Sequence, residues 1–190
     1  ISAFSIGRVG KSGSKYDYSK TKWFNQQHLR LMKDEEIFNV IMGLDNGLLS
    51  QFSKDYALQA INLLKERAVF VKDILFEGGF FFTETVKFDE RAVSKKWDSN
   101  IAPQLMSLSK KMSTLTNFNS KAIERAFHEY LDSEKLSLGK IMPMLRLAIT
   151  GKLAGPSMFD VLALIGPRKM NSRIIFAIEE NNKNGKNTCS

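Results

Sequence analysis

The chain has 190 residues, of which 28 are Lys or Arg and 20 are Asp or Glu, so its net charge is +8. With 43% hydrophobic residues it has the composition of a soluble globular protein, and its basic charge favours a polyanionic partner, nucleic acid ahead of anionic membrane. The single cysteine, Cys189, excludes disulfides and cysteine-based metal sites within the chain. Because the sequence starts at Ile1 and shows no signal peptide or long apolar run, we expect a piece of a longer cytoplasmic protein with no membrane contact.

Helical periodicity follows from residue 17 almost to the end of the chain. Apolar residues recur at helical spacing, and the β-branched alternation typical of a sheet is absent. The fold class predicted is therefore all-α. The predicted helical segments are 17–33, 34–44, 53–68, 71–79, 90–97, 100–115, 120–131, 137–150, 156–166 and 167–180.

Capping residues mark where several of these helices begin. Asp17, Asp34, Ser53 and Asp89 each precede an apolar-periodic run, as N-caps do. Glycines at 78–79, 151 and 166 predict the helix ends, and Phe80 to Phe82 are expected to pack in the core beneath the first of these. We also expect Trp23 to be mostly buried.

The stretch "GRVGKSGSK" at 7–15 contains the end of a phosphate-binding P-loop, Gly10-Lys11-Ser12. A complete P-loop needs a glycine at position 5, where this chain has Ser5, and too few residues come before it for a full strand. A flexible basic loop and a loop that contacts nucleic-acid phosphates are the alternatives. Contact with nucleic-acid phosphates is favoured because seven basic residues but only one acid, Asp17, lie in the first 33 residues.

No catalytic constellation is visible in the sequence. His28 and His128 are far apart and outside any H-x-x-x-H frame, so they are expected on the surface and no metal site is predicted. Adjacent acids such as Glu35-Glu36 point in different directions on a helix, which argues against an acid/base pair. The residues alone therefore predict a binding module with no catalytic residue and no cofactor of its own.

Two blocks at opposite ends of the chain carry a family resemblance. "FSIGRVGKSGSKYDYSKTKWFNQQHLR" and "LAITGKLAGPSMFDVLALIGPRKMNSRI" resemble motifs of bacterial-type glutamyl-tRNA synthetases, and "INLLKERAVFVKDILFEGGFFFT" lies between them in the family's order. The resemblance spans residues 4 to about 180. The family's HIGH-type and KMSKS-type motifs, which bind ATP and glutamate, are missing from this sequence.

The resemblance implies the C-terminal, anticodon-binding portion of a class I aminoacyl-tRNA synthetase, a ligase of protein biosynthesis. Residues 1–33 would end a stem-contact domain, while 34–82 and 83–190 would form two helical subdomains of the α-helical cage type, the second with a frayed polar tail. The full-length parent would join glutamate to tRNA-Glu with ATP and Mg²⁺ as a monomer, without an obligate protein partner. Whether it also charges tRNA-Gln stays open.

The resemblance also implies roles for individual residues. Arg67, Arg146, Gly155, Pro156 and Met158 match positions that contact anticodon bases. Arg8, Lys11, Lys15 and Lys20 would contact the tRNA backbone, so the basic loop at 7–15 would meet tRNA phosphates instead of ATP.

Two other functions compete with this hypothesis. A basic helical scaffold for an acidic protein partner predicts a contiguous exposed apolar patch. A nucleotide enzyme predicts a strand before Gly7, whereas anticodon binding predicts that Arg67 and Arg146 face one groove.

Overall fold

The computed structural model describes residues 17–44, 47 and 49–186, with side chains described as far as residue 181. These residues form α-helices and two short 3₁₀ turns, Leu49–Gln51 and Gly79–Phe82, and include no β-strand, which confirms the all-α prediction. The helices are α1 Tyr18–Leu31, α2 Asp34–Leu44, α3 Lys54–Lys65, α4 Val71–Gly78, α5 Glu90–Lys96, α6 Ala102–Ser113, α7 Ser120–Glu134, α8 Leu138–Thr150 and α9 Met158–Lys186.

Three of the four predicted N-caps are confirmed. The Asp17 carboxylate accepts from the Ser19 and Lys20 amides, Ser53 Oγ accepts from the Tyr56 amide at 3.3 Å, and Asp89 accepts from the Ala92 amide at 3.1 Å. Each satisfies a first-turn N–H that has no partner within its helix.

The prediction that Asp34 caps α2 is wrong. Asp34 lies inside the first turn, where its carboxylate binds Lys65 Nζ at 2.6 Å and Asn62 Nδ2 at 3.0 Å, both on α3. Glu36 instead accepts from the amide of Lys33, the residue before the helix, at 3.2 Å. The Asp34 carboxylate therefore ties α2 to α3 and does not cap the helix that Asp34 begins.

Helix α9 is the element on which the second half of the chain packs. It contacts α6, α7 and α8, and it also contacts α3, while α2, α3 and α4 contact one another. The buried apolar residues form a continuous cluster from Leu29 to Ala177 that includes Phe80, Phe81 and Phe82, as predicted. The boundary predicted at residues 82 and 83 falls between α4 and α5, and the division into subdomains stays a prediction.

Two glycines break the helical run where the sequence predicts it. Gly151 ends α8 with φ 75°, and Gly166 interrupts α9 with φ 79° and ψ 166°, so Pro167 begins a second helical stretch. At Gly151 the chain also passes so close to residue 87 that an added Cβ would lie 2.1 Å from the Lys87 carbonyl oxygen. The Asp89 amide donates to the Gly151 carbonyl at 2.9 Å and joins the two segments.

Candidate nucleic-acid interface

Arg67 lies in the short turn between α3 and α4. The Leu64 carbonyl accepts from the amides of Arg67 and Ala68 at 3.1 and 3.2 Å, which ends α3 and turns residue 67 outwards. The Asp73 carboxylate is already bonded to the Val69 and Phe70 amides at 3.1 and 2.8 Å. In the described part of the chain no hydrogen bond or ion pair holds the exposed Arg67 guanidinium, so its donors are available to a ligand.

Side chains of α1 hold this turn in place. Arg30 donates to the Glu66 carbonyl through Nε at 3.1 Å and Nη2 at 2.7 Å, and Gln26 Nε2 lies 3.4 Å from the same oxygen. Asn25 Nδ2 donates to the Val69 carbonyl. The Glu66 and Val69 carbonyls, on either side of Arg67, are thereby both bonded to α1. These bonds fix the position from which the Arg67 side chain extends.

The prediction that Trp23 is mostly buried is wrong. Helix α1 contacts the Arg67 turn through Asn25, Gln26 and Arg30, and it leaves Trp23 55% exposed and Phe24 63% exposed. The two rings pack edge to face at 5.0 Å. The scaffold hypothesis requires a contiguous exposed apolar patch, and the aromatic side chains that α1 exposes are these two rings and Tyr18.

The Arg67 turn faces the loop between α8 and α9 across a cleft of about 210 Å³, which we call the Arg67 cleft. Its walls include Leu64, Arg67, Asp73, Glu77, Ala154, Gly155 and Pro156. Arg146 on α8 reaches this loop, where its Nη1 donates to the Pro156 carbonyl at 2.9 Å. An added Cβ at Gly155 would lie 3.2 Å from that same nitrogen, so glycine lets the guanidinium approach the loop.

The two arginines influence each other electrostatically. Burial lowers the pKa of Arg146 from its ordinary value, and the positive charge of Arg67 lowers it further. Two cations are therefore held near one another at a cleft whose acids, Asp73 and Glu77, are engaged elsewhere. An anionic or electron-rich ligand would relieve this repulsion.

The other predicted site residues have different positions. Met158 begins α9 but the whole residue is only 2% exposed, so neither its side chain nor its backbone can reach a ligand without rearrangement. Lys20 is exposed on α1. Arg8, Lys11, Lys15 and the rest of residues 1–16 lie outside the described residues, and so does the stretch where the P-loop hypothesis expects a strand.

Lys152 is a residue of this region that the sequence patterns did not mark. It follows Gly151, and its Nζ lies 3.4 Å from Glu77 Oε2 on α4. This exposed ion pair crosses from the α8–α9 loop to the far wall of the Arg67 cleft. Its partner is 75 residues away in the sequence, so no local spacing predicts it.

Arg173 on α9 is a second unpredicted residue, and it secures the segment that follows α4. Its side chain is 1% exposed and donates to four backbone carbonyls: Ile149 at 2.7 Å, Thr83 at 2.6 Å, Glu84 at 3.2 Å, and Phe80. Burial lowers its pKa to about 10. Arg173 thus joins the segment after α4, on one side of the Arg67 cleft, to the C-terminal end of α8. The α8–α9 loop, which forms the opposite wall of that cleft, follows directly.

Two further kinds of feature that the described ranges could hold are metal-ligand groups and membrane-spanning helices. Among these residues no group of three or more His, Cys, Asp or Glu side chains could hold a metal ion, and both histidines are exposed. In the same part of the chain no helix is both long and apolar enough to cross a membrane.

Comparison with known proteins assigns the chain to a family. Residues 27–178 match the family model described as an anticodon binding domain. This chain belongs to the anticodon-binding domain family. The matched range contains both arginines, the α8–α9 loop and the Arg67 cleft.

Individual relatives agree with the family. The chain is 34% identical over 179 residues to a glutamate–tRNA ligase of Cytophaga hutchinsonii and 32% identical over 181 residues to one of Porphyromonas gingivalis. Each alignment covers 94% of this chain and 35% of the relative, so the chain spans about a third of the length of these curated relatives.

Solved structures give the same result. A glutamate tRNA ligase from Elizabethkingia meningosepticum in complex with its amino acid superposes with a TM-score of 0.81 at 38% identity, over 93% of this chain and 35% of that one. A glutamate–tRNA synthetase from Elizabethkingia anophelis gives 0.77 at 38% identity, over 93% and 34%.

Proposed function

We propose that this chain is the anticodon-binding part of a glutamate–tRNA ligase and that it binds the anticodon loop of tRNA-Glu. The observation that carries the proposal is the Arg67 guanidinium, which has no hydrogen-bond or ion-pair partner among the described residues, at a cleft whose opposite wall is the Ala154–Pro156 loop. Unpaired bases of an RNA loop can be splayed out and hydrogen-bonded on their edges, and a guanidinium supplies a rigid fork of donors for this purpose.

Within this proposal the site residues have different roles in binding the RNA. Arg67 contacts a base in the cleft, and Gly155 and Pro156 form the surface against which that base lies. Arg146 holds the loop through its bond to the Pro156 carbonyl, and the buried Met158 anchors the start of α9 in the core beside that loop. Lys20, together with Arg8, Lys11 and Lys15 before it, contacts phosphates.

The longer protein would attach L-glutamate to tRNA-Glu with ATP and Mg²⁺, in the cytoplasm and as a monomer. We place the ATP and Mg²⁺ sites in the part of the ligase that lies outside this chain. Support comes from the relatives, which are named glutamate–tRNA ligases and of which this chain covers 35%.

Equilibrium binding over a salt series tests the proposal, with tRNA-Glu and anticodon-substituted tRNA-Glu as ligands. Arg67→Ala should cost about 1–3 kcal/mol for tRNA-Glu and much less for the substituted tRNA, because a base contact carries selectivity. Arg125→Ala is the matched control, since Arg125 is a 75% exposed arginine on α7. It should leave selectivity unchanged.

A second variant separates phosphate contacts from base contacts. Replacing Lys11 and Lys15 together by alanine should weaken binding to both tRNAs alike and reduce the slope of log affinity against log salt by about 1–2. If Arg67→Ala behaves like the lysine variant, Arg67 is a phosphate contact and the base-contacting role fails. If wild-type protein does not prefer tRNA-Glu, the proposed function itself fails.

A further inference from the structure

Phe76 has a large apolar side chain that lies outside the hydrophobic core. It lies on α4 next to Glu77 and is 78% exposed, whereas the neighbouring Phe80, Phe81 and Phe82 are at most 8% exposed. An exposed phenylalanine contributes little to folding stability. Its position beside the Arg67 cleft therefore calls for a different explanation.

One face of the Phe76 ring is already occupied. The ammonium group of Lys152 lies 4.8 Å from the ring centroid, and the same nitrogen lies 3.4 Å from Glu77 Oε2. Lys152 is brought there by Gly151, whose carbonyl accepts from the Asp89 amide and whose Cα lies against the Lys87 carbonyl. The ring is thus supported from one side, and its high exposure leaves the other face open to a flat ligand.

The ring borders a second depression of about 420 Å³, which we call the Phe76 cleft. Its walls include Phe76, Glu77, Thr83, Thr85, Lys87 and Lys152. Glu77 lines both this cleft and the Arg67 cleft, so the two are direct neighbours separated by the Glu77–Lys152 ion pair. An open aromatic face beside two lysines is the combination that binds unpaired nucleotides, by stacking on the base and attracting the phosphate.

We propose that the Phe76 cleft binds a second unpaired nucleotide of the same RNA loop, with its base stacked on the open face of Phe76. The inference rests on the proposed function and deepens it, since Arg67 and Phe76 would take different nucleotides of one loop. Lys87 and Lys152 are the cations that face the backbone of this nucleotide. A stacked base is held without regard to its identity, so the Phe76 cleft adds affinity where the Arg67 cleft adds selectivity.

The test is a double-mutant cycle between protein and RNA. The RNA is the anticodon stem-loop of tRNA-Glu, intact or with one unpaired loop nucleotide at a time made abasic. The proteins are the wild-type 190-residue chain, Phe76→Ala, Phe76→Tyr and Arg67→Ala, with Tyr18→Ala as control. Tyr18 is a matched aromatic residue because it is 59% exposed and has Lys22 Nζ 4.6 Å from its ring centroid.

Phe76→Ala should weaken binding of the intact RNA about 5- to 150-fold, the usual effect of losing one base–aromatic stack. Phe76→Tyr should bind like wild type because the ring remains. For one abasic RNA the wild type and Phe76→Ala should bind equally, since the stacked base is already gone. Arg67→Ala should still weaken binding of that RNA, and Tyr18→Ala should show no coupling to any abasic position.

Two results would overturn the inference in distinguishable ways. If wild type binds the stem-loop and loses affinity on Arg67→Ala, but Phe76→Ala weakens every abasic RNA by the same factor, stacking on Phe76 is refuted and the proposed function stands. If wild type does not bind the stem-loop, both fail. Thermal melting of Phe76→Ala should match wild type, as expected for a side chain that is 78% exposed.

Discussion

Replacing Gly151 by alanine should destabilise the protein and displace the loop that forms one wall of the Arg67 cleft. Gly151 has φ 75°, a conformation that a residue with a Cβ rarely adopts. The added Cβ would also lie 2.1 Å from the Lys87 carbonyl oxygen, a backbone atom that cannot rotate away. The segments around residues 87 and 151 must therefore separate.

The cost has three parts. The left-handed backbone costs about 1–2 kcal/mol with a Cβ, the forced separation about 1–3 kcal/mol, and loss of the bond from the Asp89 amide about 0.5–1.5 kcal/mol. Together these predict a loss of about 2.5–6.5 kcal/mol, which lowers Tm by roughly 5–25 °C for a chain of this size. Because Lys152 and Ala154–Pro156 follow directly, RNA affinity should fall as well.

Two other glycines separate these contributions. Gly166 has φ 79° and ψ 166°, a backbone region essentially restricted to glycine, but nothing within 4 Å of an added Cβ, so Gly166→Ala should cost about 1–3 kcal/mol from the backbone alone. Gly43 in α2 also has open space, without a positive φ, so Gly43→Ala should be neutral or stabilising by up to about 1 kcal/mol. Chemical denaturation of the three variants gives the comparison. A loss for Gly151→Ala of no more than about 2 kcal/mol, the cost of its left-handed backbone alone, would show that residues 87 and 151 are not in contact.

Three further outcomes are expected. Arg173→Met should lower the free energy of unfolding in denaturant by about 2–6 kcal/mol, because the buried carbonyls of Phe80 and Ile149 each lose a donor worth about 1–3 kcal/mol. The control Arg125→Met should change it by no more than about 0.5 kcal/mol. Equal changes for the two variants would refute the role of Arg173. Trp23→Ala should cost about 1 kcal/mol or less, well below the ~3–5 kcal/mol of a buried tryptophan, and a large drop in Tm would contradict its exposure. The purified chain should show no ATP–pyrophosphate exchange, and turnover above background would contradict its assignment as a binding part.

Local sequence patterns predicted most of the helices, because caps and helix ends depend on residues a few positions apart. Ser53 and Asp89 cap as expected since their partners are three residues on. Asp34 has the same local pattern, yet its carboxylate binds Lys65, which is 31 residues away. A tertiary ion pair overrode the local preference there.

The same distinction applies to the candidate site, where residues in family motifs were predicted and residues that bind distant backbone carbonyls were not. Family motifs indicated Arg67, Gly155 and Pro156, and the structure brings these residues to one cleft. Arg30 and Arg173 were not foreseen because both bind backbone carbonyls far along the chain. Any residue supplies a carbonyl, so no combination of side chains in the sequence marks such a contact. The exposure of Trp23 was missed for a related reason, since α1 docks through amides and an arginine rather than through its aromatic residues.

The hydrogen bonds of Arg173 also have a consequence for biosynthesis. Three of its carbonyl partners, on Phe80, Thr83 and Glu84, precede it by 93, 90 and 89 residues. At typical translation rates of 5–20 residues per second, those carbonyls leave the ribosome roughly 5–20 s before the guanidinium that will bind them. Water must occupy them during that interval. The α4 region of a nascent chain should therefore be more sensitive to protease than that of the released protein, and it should gain protection only when residue 173 has emerged.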